Sequence, residues 1–305
     1  MSTAAHKTFQ GIMPPLSTLF DADGNFDAGH TGELIEKLIA AGVDGVLLLG
    51  SAGEFFSMTT EQRKEVAAFC LKKVAGRITT LVGTGACGTR ETIELSRHAA
   101  GNGADGVMVI NPYYSPMSDD GLFEHYKAVA DACPCPVFLY NFPAMTGQDL
   151  SVELIARLAD ASPNIRGLKD SVASVDHTRR VILEVASKHP GFAVFSGFDE
   201  HVLNNLALGG AGGIPGTANF APQFICGLYK AFKAGDYEKA YELHKTVAKL
   251  SNVYGIETPY FGTLKEAAKL CVMPSISTAV LPPSQPLTAQ GFEKLKALLS
   301  SCDLV

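Results

Sequence analysis

The chain has 305 residues, 47% of them hydrophobic, so it can bury a large core either as two ordinary domains or as one α/β barrel with an addition. Its formal net charge is −6, and lysine and arginine form no cluster interleaved with aromatic residues. Composition and charge therefore argue against nucleic acid or an anionic membrane as a partner and favour a small molecule.

Eight short apolar, β-branched runs alternate with helical patterns along residues 1–235. Their centres are spaced by about 28 residues on average, which is the size of one βα unit. This spacing predicts an α/β fold with eight parallel strands, the (β/α)8 TIM barrel, as the catalytic domain. The predicted strands are residues 11–20, 45–50, 79–85, 106–111, 136–143, 165–171, 192–199 and 211–218.

Helical signals separate these strands and dominate the end of the chain. Residues 59–62 form a helix start signal. Residues 41–50 and 102–111 resemble each other, and each contains the end of a helix, a glycine that stops it, a turn and a strand. After the eighth strand we predict helices at 223–233, 236–253, 259–271 and 288–300. One of them closes the barrel, and residues 236–305 form a C-terminal helical extension that packs against the barrel or a neighbouring subunit.

The cysteines and the start of the chain indicate a cellular compartment. Seven scattered cysteines, an odd number, favour reduced thiols over a disulfide framework. Cys133-Pro134-Cys135 is too tightly spaced for a zinc knuckle and has no second pair. The first residues lack an apolar leader segment, and no run approaches the ~18 apolar residues of a membrane span. We therefore expect a cytoplasmic protein.

Lys169 ends the sixth predicted strand, where a lysine is seldom buried without a function. Burial disfavours the charged form of an amine, so part of such a side chain is a nucleophile near neutral pH, as a Schiff-base lysine must be. The structural alternative is a lysine with its head group in water or paired with Asp170.

Other polar side chains follow the predicted strands at the barrel end where active sites lie. Ser51 follows strand 2, Tyr113 and Tyr114 follow strand 4, and Tyr140 lies on strand 5. Tyr140 can exchange protons with the carbinolamine that an amine forms with a ketone, Ser51 can relay them, and backbone N–H groups of residues 51–53 suit a carboxylate. Each of these residues, taken singly, also has a purely structural explanation. Ser51 can cap a helix, Tyr113 and Tyr114 can anchor loops, and Tyr140 can be a core tyrosine.

Two further motifs point elsewhere. Residues 83–88 match G-x-G-x-x-G, but Asn111 stands at the end of the next strand where a dinucleotide site needs an acid, so we interpret the glycines as a tight βα loop. We expect Asp199 to cap the following helix, with Glu200 complementing its dipole. The eight histidines show no H-x-H or H-E-x-x-H spacing, so we expect no metal site.

The motifs at three strand ends resemble the dihydrodipicolinate synthase / N-acetylneuraminate lyase superfamily of pyruvate-handling class I aldolases. They are the G-[ST]-x-G-E turn at 50–54, Tyr-Asn-x-Pro at 140–143 and Lys-Asp-Ser at 169–171. The resemblance covers nearly the whole chain. Within the superfamily, residues 50–55 and 140–150 are most similar to a bacterial 2-keto-3-deoxygluconate aldolase.

This resemblance implies a role for each matching residue. Lys169 forms the Schiff base with pyruvate, Tyr140 shuttles the proton, and Ser51 stands where the family has the first threonine of its turn. The backbone at Gly197 and Ile214 lines the pyruvate pocket. No cofactor is needed beyond the covalent lysine imine.

The resemblance also implies an oligomer and a choice of substrate. Tyr114 matches a tyrosine that the family lends across a subunit interface, which implies a homotetramer. Met145 replaces the arginine with which dihydrodipicolinate synthases hold the second substrate's carboxylate, and Ala52 replaces their second threonine beside Gly53 in the substrate-binding turn. Because methionine cannot pair with a charged group, lysine biosynthesis is disfavoured and an uncharged, sugar-like aldehyde is favoured.

We therefore expect an aldolase that reversibly cleaves a 2-keto-3-deoxy sugar acid to pyruvate and an aldehyde such as glyceraldehyde. The alternatives within the superfamily are a dihydrodipicolinate synthase, a sialic-acid lyase, a keto-deoxy-pentonate aldolase and a sugar-acid dehydratase. An alternative of a different class is a non-catalytic barrel that binds pyruvate or a sugar acid.

Overall fold

Eight parallel strands form one sheet in the computed structural model, which describes residues 8–305. From β2 to β8 each strand pairs with the next, and β1 pairs with β8. Between β1 and β2, a parallel bridge from Pro15 to Leu47 completes the ring of strands, and the TIM-barrel prediction is confirmed. The strands are β1 Gly11–Ile12, β2 Gly45–Leu48, β3 Thr79–Gly83, β4 Gly106–Ile110, β5 Val137–Asn141, β6 Ile165–Asp170, β7 Ala193–Ser196 and β8 Gly212–Gly213.

The first and last strands are much shorter than predicted. Both comprise two residues, whereas the apolar pattern extends to residues 20 and 218. Pro14, Pro15 and Pro215 lie just beyond these strands. Proline has no N–H to donate to a neighbouring strand, so beyond β1 the regular ladder gives way to the isolated Pro15–Leu47 bridge although the side chains remain apolar.

Helices separate the strands and cover the outside of the barrel. Residues 59–62 start a helix as predicted, because Thr59 accepts a hydrogen bond from the Gln62 N–H (3.2 Å) while the Gln62 side chain accepts one from the Thr59 N–H (2.9 Å). Helix α7 continues into one π-helical turn at Val181–Ala186. The helices are α1 Ala28–Ala41, α2 Thr60–Val74, α3 Thr89–Gly101, α4 Asp119–Ala132, α5 Pro143–Thr146, α6 Val152–Ala161, α7 Val175–Arg180, α8 Val202–Ala207 and α9 Pro222–Lys233.

Three more helices follow the barrel, as the sequence predicts. They are α10 Tyr237–Leu250, α11 Phe261–Cys271 and α12 Ala289–Ser300. Helix α10 packs against α9, and α11 reaches the turn that follows β2. Within residues 8–305, no helix combines the length and the apolar character that crossing a membrane requires.

A buried ion pair joins α11 to the turn after β2. The Lys265 Nζ lies 2.5 Å from Glu54 Oε1, and neither side chain is exposed to solvent. The Lys265 Nζ also donates to the Ala279 carbonyl (2.7 Å), and the Leu281 N–H donates to Glu54 Oε2 (2.8 Å). Burial lowers the pKa of Lys265, and the charge and hydrogen bond of Glu54 oppose this shift. These contacts fasten the C-terminal extension to the barrel end where the predicted site residues lie.

Removing one partner of this pair leaves an uncompensated buried charge, so we expect Lys265→Met to reduce the free energy of unfolding by about 3 to 5 kcal/mol. The double variant Glu54→Gln with Lys265→Met regains a large part of that loss, because no buried charge remains. Lys127→Met, which breaks the exposed Lys127–Asp131 pair, serves as the control and changes stability little. Denaturant titration measures all three, and equal losses for Lys265→Met and Lys127→Met would contradict the expectation.

Candidate active site

The register between β5 and β6 places Tyr140 opposite Lys169. Both side chains are only 4% exposed, and the Lys169 Nζ lies 4.3 Å from the centroid of the Tyr140 ring. Successive residues of a strand point to opposite faces, so Asp170 faces away from this pair. The Asp170 carboxylate accepts hydrogen bonds from the Asn141 amide (2.9 Å) and the Thr178 hydroxyl (2.6 Å). The structural alternative for Lys169, a head group in water or paired with Asp170, is therefore wrong.

An irregularity in the β5–β6 pairing sets this register. Val137 lies opposite Ile165, but Phe138 lies opposite Gly167, so Arg166 is skipped. If Arg166 were not skipped, Tyr140 would lie opposite Leu168, one position earlier on β6, whose side chain points the other way. Gly167 is required at this point, because a Cβ there would lie 2.6 Å from the Phe138 ring.

Ser51 extends the pair to a third group. Its Oγ lies 3.4 Å from the Tyr140 hydroxyl, and either atom can be the donor. Ser51 is the first residue of the short 3-10 turn Ser51–Gly53, which follows β2 directly. Tyr140 therefore has the Ser51 hydroxyl and the Lys169 amine as neighbours, which suits proton transfer among the three groups.

A cavity of about 310 Å³ opens over these three side chains. Ala52, Gly197 and Ile214 also line it. Gly197 allows no side chain, because a Cβ there would lie 1.8 Å from the Ser171 Oγ. Residues of the C-terminal segment form part of its wall, namely Ser251, Tyr254, Tyr260 and Leu264.

Gly53 does not line this cavity, which corrects its assignment as a substrate-binding residue. Its N–H donates to the Gly50 carbonyl (2.9 Å), so this group is not available to a substrate carboxylate. A Cβ at Gly53 would point toward the Leu16 carbonyl instead of the site. Ser51 and Ala52 precede it in the same turn, where the first N–H groups of a helical segment have no partner within the turn.

Tyr114 and Met145 lie outside the cavity of Lys169. Tyr114 is 92% exposed, and Met145 is 46% exposed. Met145 lines a neighbouring cavity of about 440 Å³, whose walls are mainly apolar and aromatic and include Phe55 and Phe261. Ser51 belongs to the walls of both cavities, so they adjoin at that residue.

The interpretation of Asp199 as the cap of its own helix is wrong. Its buried carboxylate accepts hydrogen bonds from the Thr217 N–H and the Tyr254 hydroxyl, both at 2.9 Å. It also accepts one from the Gly216 N–H (3.3 Å), so it holds the start of the distant 3-10 turn Gly216–Asn219 and not of the helix that follows it in the chain. Burial raises the pKa of Asp199 and of Tyr254. Glu200 is half-buried and lines the cavity of Lys169. Within residues 8–305, no group of three or more His, Cys, Asp or Glu side chains is arranged to hold a metal ion.

The glycines of residues 83–88 form a tight loop, as interpreted. A Cβ on Gly85 would lie within 3 Å of Ile110, so the loop packs directly on β4. The buried guanidinium of Arg63 donates to the carbonyls of Gly83 (3.2 Å) and Gly85 (3.0 Å). These contacts explain Gly83 and Gly85 as a packing requirement, whereas a Cβ at Gly88 would meet no neighbouring atom.

Sequence reasoning missed the contribution of the C-terminal segment to the cavity. Tyr254 and Tyr260 pack edge to face with 5.1 Å between ring centroids, and both line the cavity. Burial and the neighbouring Tyr140 raise the pKa of Tyr260, so its hydroxyl stays protonated. These tyrosines carry no local signal in the sequence, because their place in the site results from contacts with distant strands.

The comparisons with known proteins agree with this geometry. The sequence profile of the dihydrodipicolinate synthetase family matches residues 8–302. The chain belongs to this family. The Escherichia coli (strain K12) protein named "Putative 2-dehydro-3-deoxy-D-gluconate aldolase YagE" is 48% identical over 296 residues, which cover 97% of this chain and 98% of that protein. "Probable 2-dehydro-3-deoxy-D-pentonate aldolase YjhH" of the same strain is 41% identical over 295 residues, which cover 97% and 98%.

Solved structures lead to the same family. The crystal structure of YagE from E. coli K12 in complex with pyruvate has a TM-score of 0.95 and 47% identity, covering 97% of this chain and 99% of that one. Dihydrodipicolinate synthase from Aquifex aeolicus has a TM-score of 0.91 and 32% identity, covering 97% and 99%. This family member is a pyruvate-dependent lyase of the class I aldolase type.

The outward face of β6 carries a second polar network. His177 Nδ1 lies 2.9 Å from Asp170 Oδ2, and its Nε2 lies 2.7 Å from the Leu150 carbonyl oxygen. Because both neighbours are acceptors, both ring nitrogens must carry protons. Burial acts to lower the pKa of His177, but the hydrogen bond and charge of Asp170 outweigh it and raise the pKa to about 9. The imidazolium ties the loop after β5 to the end of β6.

The raised pKa of His177 makes stability depend on pH. Its contribution is complete below pH 6.5, the ordinary value, and is lost as the pH rises through about 9. We expect the free energy of unfolding to fall by on the order of 2 to 3 kcal/mol across this window. Denaturant titrations at several pH values measure the loss.

Two variants test the assignment of this pH dependence. His177→Gln flattens the dependence, because the titrating imidazolium is gone. His98→Gln is the control and leaves it unchanged, since burial lowers the pKa of His98. A His177→Gln protein that keeps the wild-type slope would rule out the assignment.

Proposed function

We propose that the chain is an aldolase that reversibly cleaves a 2-keto-3-deoxy sugar acid, such as 2-keto-3-deoxygluconate, to pyruvate and glyceraldehyde through an imine at Lys169. The observation that carries this proposal is the buried Lys169 amine, 4.3 Å from the Tyr140 ring at the floor of the cavity. Lys169 forms no ion pair with a carboxylate side chain of residues 8–305.

The chemistry needs one nucleophile and a proton shuttle. The Lys169 amine attacks the C2 ketone, and the carbinolamine loses water after its hydroxyl is protonated by Tyr140, with Ser51 as relay. The iminium then accepts the electron pair of the C3–C4 bond while the C4 hydroxyl loses its proton, which releases the aldehyde. The remaining enamine is protonated at C3, and water releases pyruvate and the free amine.

The walls of the cavity suit the two ends of the substrate differently. The N–H groups of Ser51 and Ala52 favour the carboxylate of the keto acid. The backbone at Gly197 and Ile214 lines the pocket without offering a donor, because both N–H groups donate to neighbouring carbonyls. Glu200 offers a half-buried carboxylate to the hydroxyl groups of the sugar portion. The same carboxylate repels a second negative charge, which supports an uncharged aldehyde as the other product.

The neighbouring cavity supports the same substrate class. Met145 lines it and provides no charge for a second carboxylate. The names of YagE and YjhH, a gluconate and a pentonate aldolase, support two sugar acids of this kind as candidates. The pentonate analogue is therefore the second candidate substrate.

The proposal extends to assembly, location and domain division. Tyr114 projects from the loop after β4 and is 92% exposed, which supports its insertion near the site of a second subunit in a homotetramer.

The seven cysteines are free thiols, which supports a cytoplasmic location. Residues 1–235 act as the catalytic barrel, and residues 236–305 form the helical extension that completes the cavity wall.

Incubation with pyruvate followed by borohydride tests the covalent step. We expect one reduced pyruvate adduct per chain on Lys169, found by peptide mass mapping, and no adduct or cleavage in Lys169→Ala. Tyr140→Phe lowers kcat by about 100-fold or more, because proton transfer loses its donor. Lys127→Ala, on the surface, is the control with full labelling. Cleavage by Lys169→Ala would refute the mechanism, and labelling without turnover of any keto acid would favour a binding protein.

A panel of 2-keto-3-deoxy acids tests the substrate class. Pyruvate release is expected to be fastest with the gluconate and pentonate compounds and weak with acids that carry a second carboxylate in the aldehyde portion. Glu200→Gln raises KM for the hydroxylated substrates by about tenfold, since a charge-assisted hydrogen bond is lost, and leaves borohydride labelling intact. Preference for the doubly charged acids would show that the assigned class is wrong.

A further inference from the structure

Two cysteines lie in contact at the end of the barrel opposite the site. Cys133 follows the last residue of α4, and Cys135 stands two residues before β5. Their sulfur atoms are 3.6 Å apart. Cys133 is buried, Cys135 is half-buried, and Pro134 between them is exposed. The pair therefore lies directly beneath the surface.

Asn164 holds the backbone around this pair. Its Nδ2 lies 2.9 Å from the Ala130 carbonyl, 2.9 Å from the Cys133 carbonyl and 3.1 Å from the Cys135 carbonyl. The ring of Pro134 fixes φ between the two cysteines. Because the backbone is already restrained with both sulfurs on one side, a bond between them costs little conformational entropy.

The two thiols are electronically different. The hydrogen bond from Cys135 lowers the pKa of Cys133 to about 7, and the charge of Arg97 acts in the same direction. The Arg97 Nε donates to the Ala132 carbonyl (3.1 Å), which keeps the guanidinium beside the loop. The pKa of Cys135 is raised by the same contact. One sulfur is thus the thiolate that attacks, and its neighbour is the thiol that resolves.

Three other cysteines, the buried Cys70 and Cys226 and the half-buried Cys271, lack this arrangement. Burial raises the pKa of Cys70 and Cys226 to about 12 and that of Cys271 to about 11, so they remain unreactive thiols. Cys87 is exposed and serves as a single accessible thiol for comparison.

We propose that Cys133 and Cys135 form a dithiol that hydroperoxides oxidise reversibly to an internal disulfide. The Cys133 thiolate attacks the peroxide O–O bond, which gives a sulfenic acid and hydroxide or alkoxide. The Cys135 thiol then displaces hydroxide from that sulfur, the disulfide forms, and water leaves. Two thiols lose two electrons and two protons, and the peroxide is reduced to water, or to water and an alcohol.

This site is separate from the proposed catalytic chemistry. Tyr140 lies five residues after Cys135 along extended chain, which places the dithiol roughly 15 Å from the cavity. Reaction with peroxide can therefore be measured by mass without an activity assay. Borohydride trapping of pyruvate at Lys169, run in parallel, reports on the proposed function independently.

The experiment treats the native protein with hydrogen peroxide and digests it after alkylation of the remaining thiols. The expected result is that the peptide carrying both cysteines loses the mass of two hydrogen atoms and takes up no alkylating agent. Dithiothreitol restores both thiols. The pair reacts at least about tenfold faster than Cys87, because it holds a thiolate and a resolving thiol.

Two variants separate the roles. Cys135→Ser retains the attacking sulfur and accumulates a sulfenic acid at Cys133 that dimedone traps, whereas Cys133→Ser leaves Cys135 about as slow as Cys87 or slower. Cys87→Ser is the control and forms the disulfide at the wild-type rate. Oxidation of Cys87 while both Cys133 and Cys135 remain alkylatable would overturn the proposal, as would separate sulfinic acids without loss of hydrogen.

Discussion

The register between β5 and β6 is the constraint on which the rest of the site depends. Skipping Arg166 in the pairing shifts β6 by one residue, and only this shift brings Lys169 opposite Tyr140 with both side chains pointing inward. The skip is tolerated because Gly167 leaves room for the Phe138 ring. Chemistry at the carboxyl end of these strands thus rests on a packing detail nearer their beginning.

The same strand serves two purposes on its two faces. Lys169 faces the cavity, while Asp170, one residue later, faces outward and accepts hydrogen bonds from Asn141, His177 and Thr178. The outward network uses charge to hold β5, β6 and the following loop together. The amine is left without a carboxylate partner among residues 8–305. Alternation along a strand therefore separates a stabilising ion pair from a reactive amine by a single residue.

A second buried charge pair makes the C-terminal extension part of the cavity. Glu54 lies directly after the turn that holds Ser51, and Lys265 lies on the helix whose first turns carry Leu264. Burial of two charges is costly, and the pair is maintained by its direct contact and by the backbone groups of Ala279 and Leu281. An apolar pair could pack there in several ways, whereas a hydrogen-bonded ion pair specifies one position of the helix over the strand ends.

Local patterns in the sequence determined the eight strands, most helices and the residues Ser51, Tyr140 and Lys169, because strand ends in a parallel barrel meet at one edge whatever the details of packing. The sequence patterns did not determine that β1 and β8 are short, that the Gly53 N–H already donates a hydrogen bond, or which groups bind Asp199. Each of these depends on hydrogen bonds that form only after the barrel closes. The Glu54–Lys265 pair and the tyrosines over the cavity also came only from the tertiary structure. Side chains more than 200 residues apart carry no mutual signal in a single sequence, and their energy of contact exists only once burial removes water from between them.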